Sequence, residues 1–248
     1  MTQETLRRVQ RVQHELRRRE LQVLRVAEIS LNVRSITFGG EAMAGFVSAS
    51  FDDHVKLLLP APADGAEPVR RDYTPRHHDA AANELTIEFD LHATGPAARW
   101  AANARPGDSA AIGGPRGSLI IPTDYDWHLL AGDETALPAI ARRLEELPAG
   151  TTVFVVAQAR DAADRRSFHT AADARVQWVA DDTAMLAAVR ALALPSPDEG
   201  YAWCAGEAAA MAALRRVLVD EKGVPRHAIR AAAHWKRGAT AHHENLGD

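Results

Sequence analysis

The chain has 248 residues, 46% hydrophobic and 25% charged, a balance that fits a globular protein of one large domain or two of ordinary size. With 29 basic against 33 acidic residues the formal net charge is −4, which excludes the overall basic field that drives nonspecific nucleic-acid binding. The one cysteine, Cys204, excludes an internal disulfide and a cysteine-based zinc site and fits a reducing compartment. Residues Met1 to Glu20 lack the apolar core of a secretory signal, and no apolar run approaches the roughly 20 residues that span a bilayer. The expectation is a cytoplasmic protein with neither nucleic-acid nor membrane partner.

In chain order, Leu6, Val9, Val12 and Leu16 recur among arginines and glutamates and predict an amphipathic surface helix over residues 1–20. From Leu21 the period shortens. Leu21–Val26 and Ile29–Phe38 alternate and are rich in β-branched residues, and Gly39-Gly40 ends that run. Further strands are predicted at His54–Leu59, Arg71–Arg76, Glu84–His92 and Asp108–Ile112, divided by Pro-, Gly- and Asp-rich turns. One helix interrupts them at Pro96–Ala104, opened by proline at a first-turn position and followed by Pro106-Gly107. Short strands with one inserted helix predict a small antiparallel β-barrel over 21–122.

After Pro122 strands and helices alternate. Strands are predicted at Trp127–Ala131, Thr151–Ala157, Val176–Val179, Ala202–Cys204 and Ile229–Ala233. Helices are predicted at Glu134–Leu147, Thr183–Leu194 and Glu207–Glu221. That alternation predicts a doubly wound parallel α/β domain over 123–248.

Several segments could carry chemistry. Arg71-Asp72-Tyr73-Thr74 sets a cation, an aromatic ring and a hydroxyl side by side on a strand, as a flavin dinucleotide requires, although an ordinary barrel strand with an exposed arginine reads equally well from these residues alone. Gly95-Pro96-Ala97-Ala98 opens a helix whose first N–H groups lack internal partners and can receive a pyrophosphate. Gly132-Asp133-Glu134-Thr135 joins strand to helix where α/β domains bind nucleotides; it is not GxGxxG, and Asp133 reads both as a helix cap and as a nucleotide contact. After the strand ending at Ala157 come Arg160, Arg165 and Arg166, which favour the 2′-phosphate of NADPH over NADH, with a solvated arginine cluster as the alternative. Cys204 reads as a packed small apolar residue.

Arg71-x-Tyr73-Thr74 resembles the flavin signature of the ferredoxin–NADP reductase superfamily. Joined by Asp53-His54-Val55-Lys56-Leu57-Leu58-Leu59-Pro60, Glu88-Phe89-Asp90-Leu91-His92, Gly95–Ala101 and Gly113-Gly114-Pro115-Arg116-Gly117-Ser118, in that order, it makes the chain resemble the siderophore-interacting proteins from about Leu21 to Gly238. The resemblance implies a Greek-key β-barrel that holds FAD, followed by an α/β domain that holds NADPH or NADH. It implies that Arg71 holds phosphate, Tyr73 packs on the flavin and Thr74 lies near its reactive edge. Asp90, His92, Gly95, Pro96, Ala97, Ala98 and Trp100 would complete the FAD site. Gly132, Asp133, Thr135, Gly206 and Glu207 would serve the nicotinamide nucleotide. Ala233-His234-Trp235-Lys236-Arg237-Gly238 resembles the family's C-terminal Tyr-Trp-Arg-x-Gly signature, with His234 in place of the tyrosine. Cations would attract an anionic ferric chelate, and Lys56, Arg116, Lys236 and Arg237 are the candidates. The implied activity is NAD(P)H-dependent reduction of a ferric siderophore by a monomer, with iron as substrate and no protein metal site. A general flavin or ferredoxin-linked reductase, and a siderophore-binding protein with little turnover, are the alternatives.

Overall fold

The computed structural model describes residues 8–59, 69–92, 95–196, 199–239 and 244–245. Its first half contains nine strands and one helix among the described residues: β1 (Gln10–Gln13), β2 (Arg18–Ser30), β3 (Val33–Gly39), β4 (Val55–Leu59), β5 (Val69–Tyr73), β6 (His77–Asp79), β7 (Glu84–Asp90), α1 (Pro96–Asn103), β8 (Ser109–Gly113) and β9 (Gly117–Ile120). Seven of the strands form one curled antiparallel sheet in the order β5-β4-β8-β2-β3-β7-β6. β8 returns to lie between β4 and β2 instead of beside β7, a Greek-key connection. The alternation expected from Leu21 is plain in β2, where Arg19, Leu21 and Val23 are buried between exposed Arg18, Glu20, Gln22 and Leu24. Inward residues of β3, β4, β7 and β8, among them Ile36, Phe38, Leu57, Ile87, Phe89 and Ile112, make the barrel core, and α1 adds Ala97 and Ala101, with Ala104 just after it, beside them.

The N-terminal helix is not what forms. The described part of that stretch contains β1, paired antiparallel to β9, and the start of β2; residues 1–7 lie outside the described residues. Every residue of β1 is exposed, so burial left no period-2 signal, and the arginines and glutamates have good helix propensity. Backbone pairing to β9 decided the outcome, as tertiary context often does at edge strands. The chain also leaves the sheet at Tyr73, so Thr74–Arg76 is loop, and Ile29 lies within the end of β2 where it was expected to begin a new strand.

The second half follows the predicted alternation: β10 (Trp127–Gly132), α2 (Leu137–Glu146), β11 (Thr152–Gln158), β12 (Asp173–Val179), α3 (Asp182–Ala191), β13 (Gly200–Glu207), α4 (Ala208–Arg216), β14 (Ile229–Trp235) and β15 (Glu244–Asn245). The order is β12-β11-β10-β13-β14-β15, parallel except for β15. β10 and β13 are buried along their whole length, as strands covered on both faces must be. The helix expected at Glu134–Leu147 starts with a 3-10 turn, Glu134–Ala136, before α2, and the one expected at Glu207–Glu221 ends in a π-helical turn, Val217–Glu221.

Trp127 is fully buried, and a Cβ at Gly200 on the neighbouring strand would lie 1.9 Å from its indole. Replacing Gly200 by alanine should overpack this junction and cost about 1–3 kcal/mol. Urea denaturation should show a lower midpoint with an unchanged slope; a midpoint equal to the parent's would show that Trp127 has room to move.

Candidate functional site

In a doubly wound sheet the chain reverses direction between the first strand and the strand added on its other side, and a crevice opens outside their carboxyl ends. Here those strands are β10 and β13, paired in register from Trp127↔Gly200 to Gly132↔Ala205. Small residues keep the junction tight. A Cβ at Gly132 would lie 2.3 Å from the Ala205 carbonyl oxygen. Gly206 adopts φ 153°, and a Cβ there would lie 2.6 Å from Asp133 Oδ2. Asp133 is 1% exposed; its Oδ1 accepts from the Thr135 backbone N–H at 2.9 Å and the Thr135 hydroxyl at 2.6 Å, and its Oδ2 accepts from Trp235 Nε1 at 2.7 Å. Burial pushes its carboxyl above the usual range despite those hydrogen bonds. Glu207, also buried, caps α4 through Ala209 and Ala210. Gly132, Asp133, Gly206 and Glu207 therefore build the floor behind the crevice and do not line it.

The crevice opens into a cleft of about 450 Å³ walled by both halves. From the barrel come Arg71, Tyr73, Thr74, Asp90, Gly95, Ala97 and Ala98; from the sheet come Thr135, Arg160, Trp203, His234 and Trp235. Gly95 and Pro96 open α1 with no capping side chain among the described residues, and the first-turn N–H groups at the cleft have no helical acceptor. Arg71 Nη1 donates to the Arg70 carbonyl at 2.7 Å, and Arg71 forms no salt bridge among the described residues. Tyr73 packs its ring 4.5 Å from that of Phe89, and burial raises its phenol. A cation, an uncapped helix end with small side chains and an aromatic ring in one cleft fit a dinucleotide pyrophosphate and its attached ring system.

Other expected residues lie off this wall. Trp100 stacks on Phe38 at 6.1 Å inside the barrel. His92 points across to the sheet half, its Nε2 2.8 Å from Asp164 Oδ2. Cys204 is fully buried in β13, where burial alone pushes its thiol up to about 12, so the packed reading describes it. Lys56, Arg116, Lys236 and Arg237 are exposed and do not line the cleft. Lys56 pairs with Asp72 at 2.8 Å and Arg237 with Asp182 at 3.6 Å. Arg160 and Arg166 both line the cleft: Arg166 is paired with Glu88 of β7 at 2.7 Å, whereas Arg160, half exposed, lies 3.5 Å from Glu134.

Polar bridges not anticipated from sequence fasten the halves together. Asp52 accepts from Trp203 Nε1 at 2.7 Å and Arg230 Nε at 3.0 Å. Arg142 of α2 donates to Ser48 Oγ at 2.8 Å and to the Pro75 carbonyl at 2.9 Å. Asp164, with a side chain 1% exposed, accepts from Ser30 Oγ at 2.7 Å, from the Asn32 backbone N–H and Nδ2 at 3.0 Å each, and pairs with His92. A paired acid before the His54–Leu59 strand and a lone Asp164 at the end of a short 3-10 turn gave no periodic signal that could have exposed these roles.

Comparisons with known proteins agree with this geometry. The family model described as siderophore-interacting FAD-binding domain matches residues 22–67 and 61–119, and the one described as siderophore-interacting protein matches 125–238. An Escherichia coli K12 protein named NADPH-dependent ferric-chelate reductase is 38% identical over 93% of this chain and 98% of its own. Ferric vibriobactin reductase ViuB of Vibrio cholerae is 32% identical, covering 91% and 93%. A siderophore utilization protein from T. fusca superposes with a TM-score of 0.87 at 33% identity over 94% of this chain and 98% of that one. The ferredoxin reductase in carbazole 1,9a-dioxygenase, 20% identical with a TM-score of 0.67 over 87% of this chain and 69% of that one, shares the fold.

The Asp164 cluster generates a pH prediction. Burial raises this carboxyl, but the bonds from Ser30, Asn32 and His92 outweigh it, so it is held below the usual carboxylate range. A lowered folded value gives stability that is present above the unfolded pKa of about 3.9 and is lost as pH falls through the folded value. Asp164→Asn should therefore cost about 2 kcal/mol near neutral pH, with the difference shrinking below roughly pH 4. Chemical denaturation of both proteins across pH measures it; a difference independent of pH would contradict the assignment.

Proposed function

The chain belongs to the siderophore-interacting protein family, and we propose that it is an FAD-dependent reductase that passes electrons from NADPH or NADH to a ferric siderophore. The observation that carries this reading is the shared cleft: an uncapped helix start and Arg71 on the barrel wall, facing the carboxyl ends of β10 and β13.

FAD would be held by Arg71 and the first turn of α1 at its pyrophosphate, with Tyr73, Thr74 and Asp90 along the same wall. When bound, it supplies the conversion of a two-electron hydride into single electrons that Fe(III) can accept. The chain's own task is positioning. The β10–β13 junction sets Thr135 and Trp235 opposite the barrel wall, so the nucleotide is brought toward the flavin side of the cleft. Arg160 beside the cleft favours a 2′-phosphate and hence NADPH, the coenzyme in the name of the E. coli relative. Exposed Arg116 and Lys236 give an anionic chelate local attraction that the net charge of −4 does not provide; Lys56 and Arg237, partnered by Asp72 and Asp182, contribute less. We assign 21–122 as the flavin half and 123–248 as the nucleotide half. Both walls come from one chain, so a monomer is sufficient, acting in the cytoplasm where its reductant is found.

The purified protein given FAD should show flavin absorbance, bleach anaerobically with NADPH and recover its colour on addition of a ferric siderophore. Bleached protein that the ferric chelate leaves colourless would overturn the assigned acceptor, and colour that NADPH leaves unchanged would favour a binding protein. Arg71→Ala should weaken FAD binding about tenfold, or about 1.4 kcal/mol, by fluorescence titration. Unchanged affinity would remove Arg71 from the phosphate site.

A further inference from the structure

Reduction of iron by this route leaves a proton over. A hydride brings two electrons and one proton; two ferric ions take the electrons one at a time, and the proton stays in the cleft until it reaches water. Asp53, Ser118 and His14 carry none of the roles assigned above to the FAD and nucleotide walls, yet they form one hydrogen-bonded file.

Asp53 lines the cleft, yet it is 3% exposed. Its Oδ2 accepts from Ser118 Oγ at 2.8 Å, Ser48 Oγ at 2.9 Å and the Ser50 backbone N–H at 3.1 Å. Its Oδ1 is buried with no hydrogen-bond partner among the described residues. A carboxylate kept only to close its loop needs the Oδ2 contacts, and a bare buried Oδ1 is then a cost with no return. Ser118, also 3% exposed, lies behind Asp53, and its hydroxyl is 2.8 Å from His14 Nε2. His14 is half-buried at the outer surface. It is held there by β1: Gln13 pairs with Gly117, and the His14 N–H donates to the Arg116 carbonyl at 2.9 Å.

We propose that Asp53, Ser118 and His14 form a proton relay from the cleft to the protein surface. This rests on the reductase reading above. The bare oxygen of Asp53 takes the proton. Once the carboxyl has turned its O–H toward Ser118, and the Ser118 hydroxyl has swung from Asp53 Oδ2 toward an unprotonated His14 Nε2, the carboxyl O–H bond breaks as a new bond to Ser118 Oγ forms, and Ser118 gives its own proton to Nε2. His14 releases a proton to water from Nδ1, and no electron moves along the file. Among charged groups, Arg142 acts on Asp53 from beside Ser48, and Asp52 and His54 flank it in the chain. Burial raises the Asp53 carboxyl above its ordinary value, while the Ser118 and Ser48 hydroxyls and Arg142 pull it back, which suits a group that must both take and give a proton. The edge strand β1 thereby acquires a role, placing an imidazole at the outer end of the file.

The test uses the FAD-loaded protein, reduced anaerobically and mixed with ferricyanide in weak buffer containing a pH-indicator dye. The flavin band reports oxidation, and the dye reports proton release. In the parent, release should keep step with oxidation. His14→Gln, a surface change that keeps a hydrogen-bonding side chain, should delay release about tenfold or more, and added imidazole should restore it. Ser118→Ala should delay it without rescue. Release at the parent's rate in both variants, or a delay in His14→Gln that imidazole does not shorten, would overturn the relay. A protein that binds no FAD would instead overturn the reductase reading, before any proton is measured.

Discussion

Asp52 stands where the two halves meet, its side chain 5% exposed, holding Trp203 Nε1 of β13 and Arg230 Nε of β14 on its two oxygens. A buried carboxylate is costly unless both oxygens are engaged and a cation lies near, and these two donors supply that. Its neighbour Phe51 goes further and packs into the core of the sheet half, 5.4 Å from the Trp203 ring. The barrel thus sends a loop into the α/β core at the point where the sheet's crevice opens. With Arg142 on Ser48 and Asp164 on Ser30 and Asn32, this fixes the distance between the walls. Such a cleft is prebuilt, and a ligand bridging it need not draw two domains together.

The positioning has a chemical consequence. Electron transfer by a flavin asks little acid–base work of the protein, but it requires that donor and acceptor share one cleft. The switch point of the sheet and the open end of α1 provide two nucleotide-sized stations, and the polar bridges keep them facing each other. The one part of the balance that the flavin does not settle is the leftover proton, which is why an unpartnered carboxylate oxygen at the cleft wall carries meaning.

Much of this was legible in the residues. The change of period after Pro122 marked the passage from antiparallel sheet to α/β, and Pro96 after Gly95 marked the helix start that lines the cleft. Arg71, Tyr73 and Thr74, adjacent in the sequence, lie together on one wall because the sheet and the loop after it present them there. What was not legible depended on long-range contacts. β1 is exposed on every residue and is a strand only because β9 lies beside it. Trp100 looked like a cofactor neighbour but faces Phe38, a choice made by the barrel core. Asp52, Asp53 and Asp164 act across separations that no local pattern encodes. His234 in the family's tyrosine position lies at the cleft, within 3.2 Å of the Thr135 hydroxyl.

The most direct measurement of the central claim is a crystal structure of the chain with FAD bound. The pyrophosphate should accept hydrogen bonds from the N–H groups of Ala97 and Ala98 and from Arg71, with the isoalloxazine beside Tyr73 and Thr74 and the Asp52–Trp203 bond unchanged. Flavin seated elsewhere, or halves that separate at Asp52 to admit it, would contradict a cleft built in advance by those contacts.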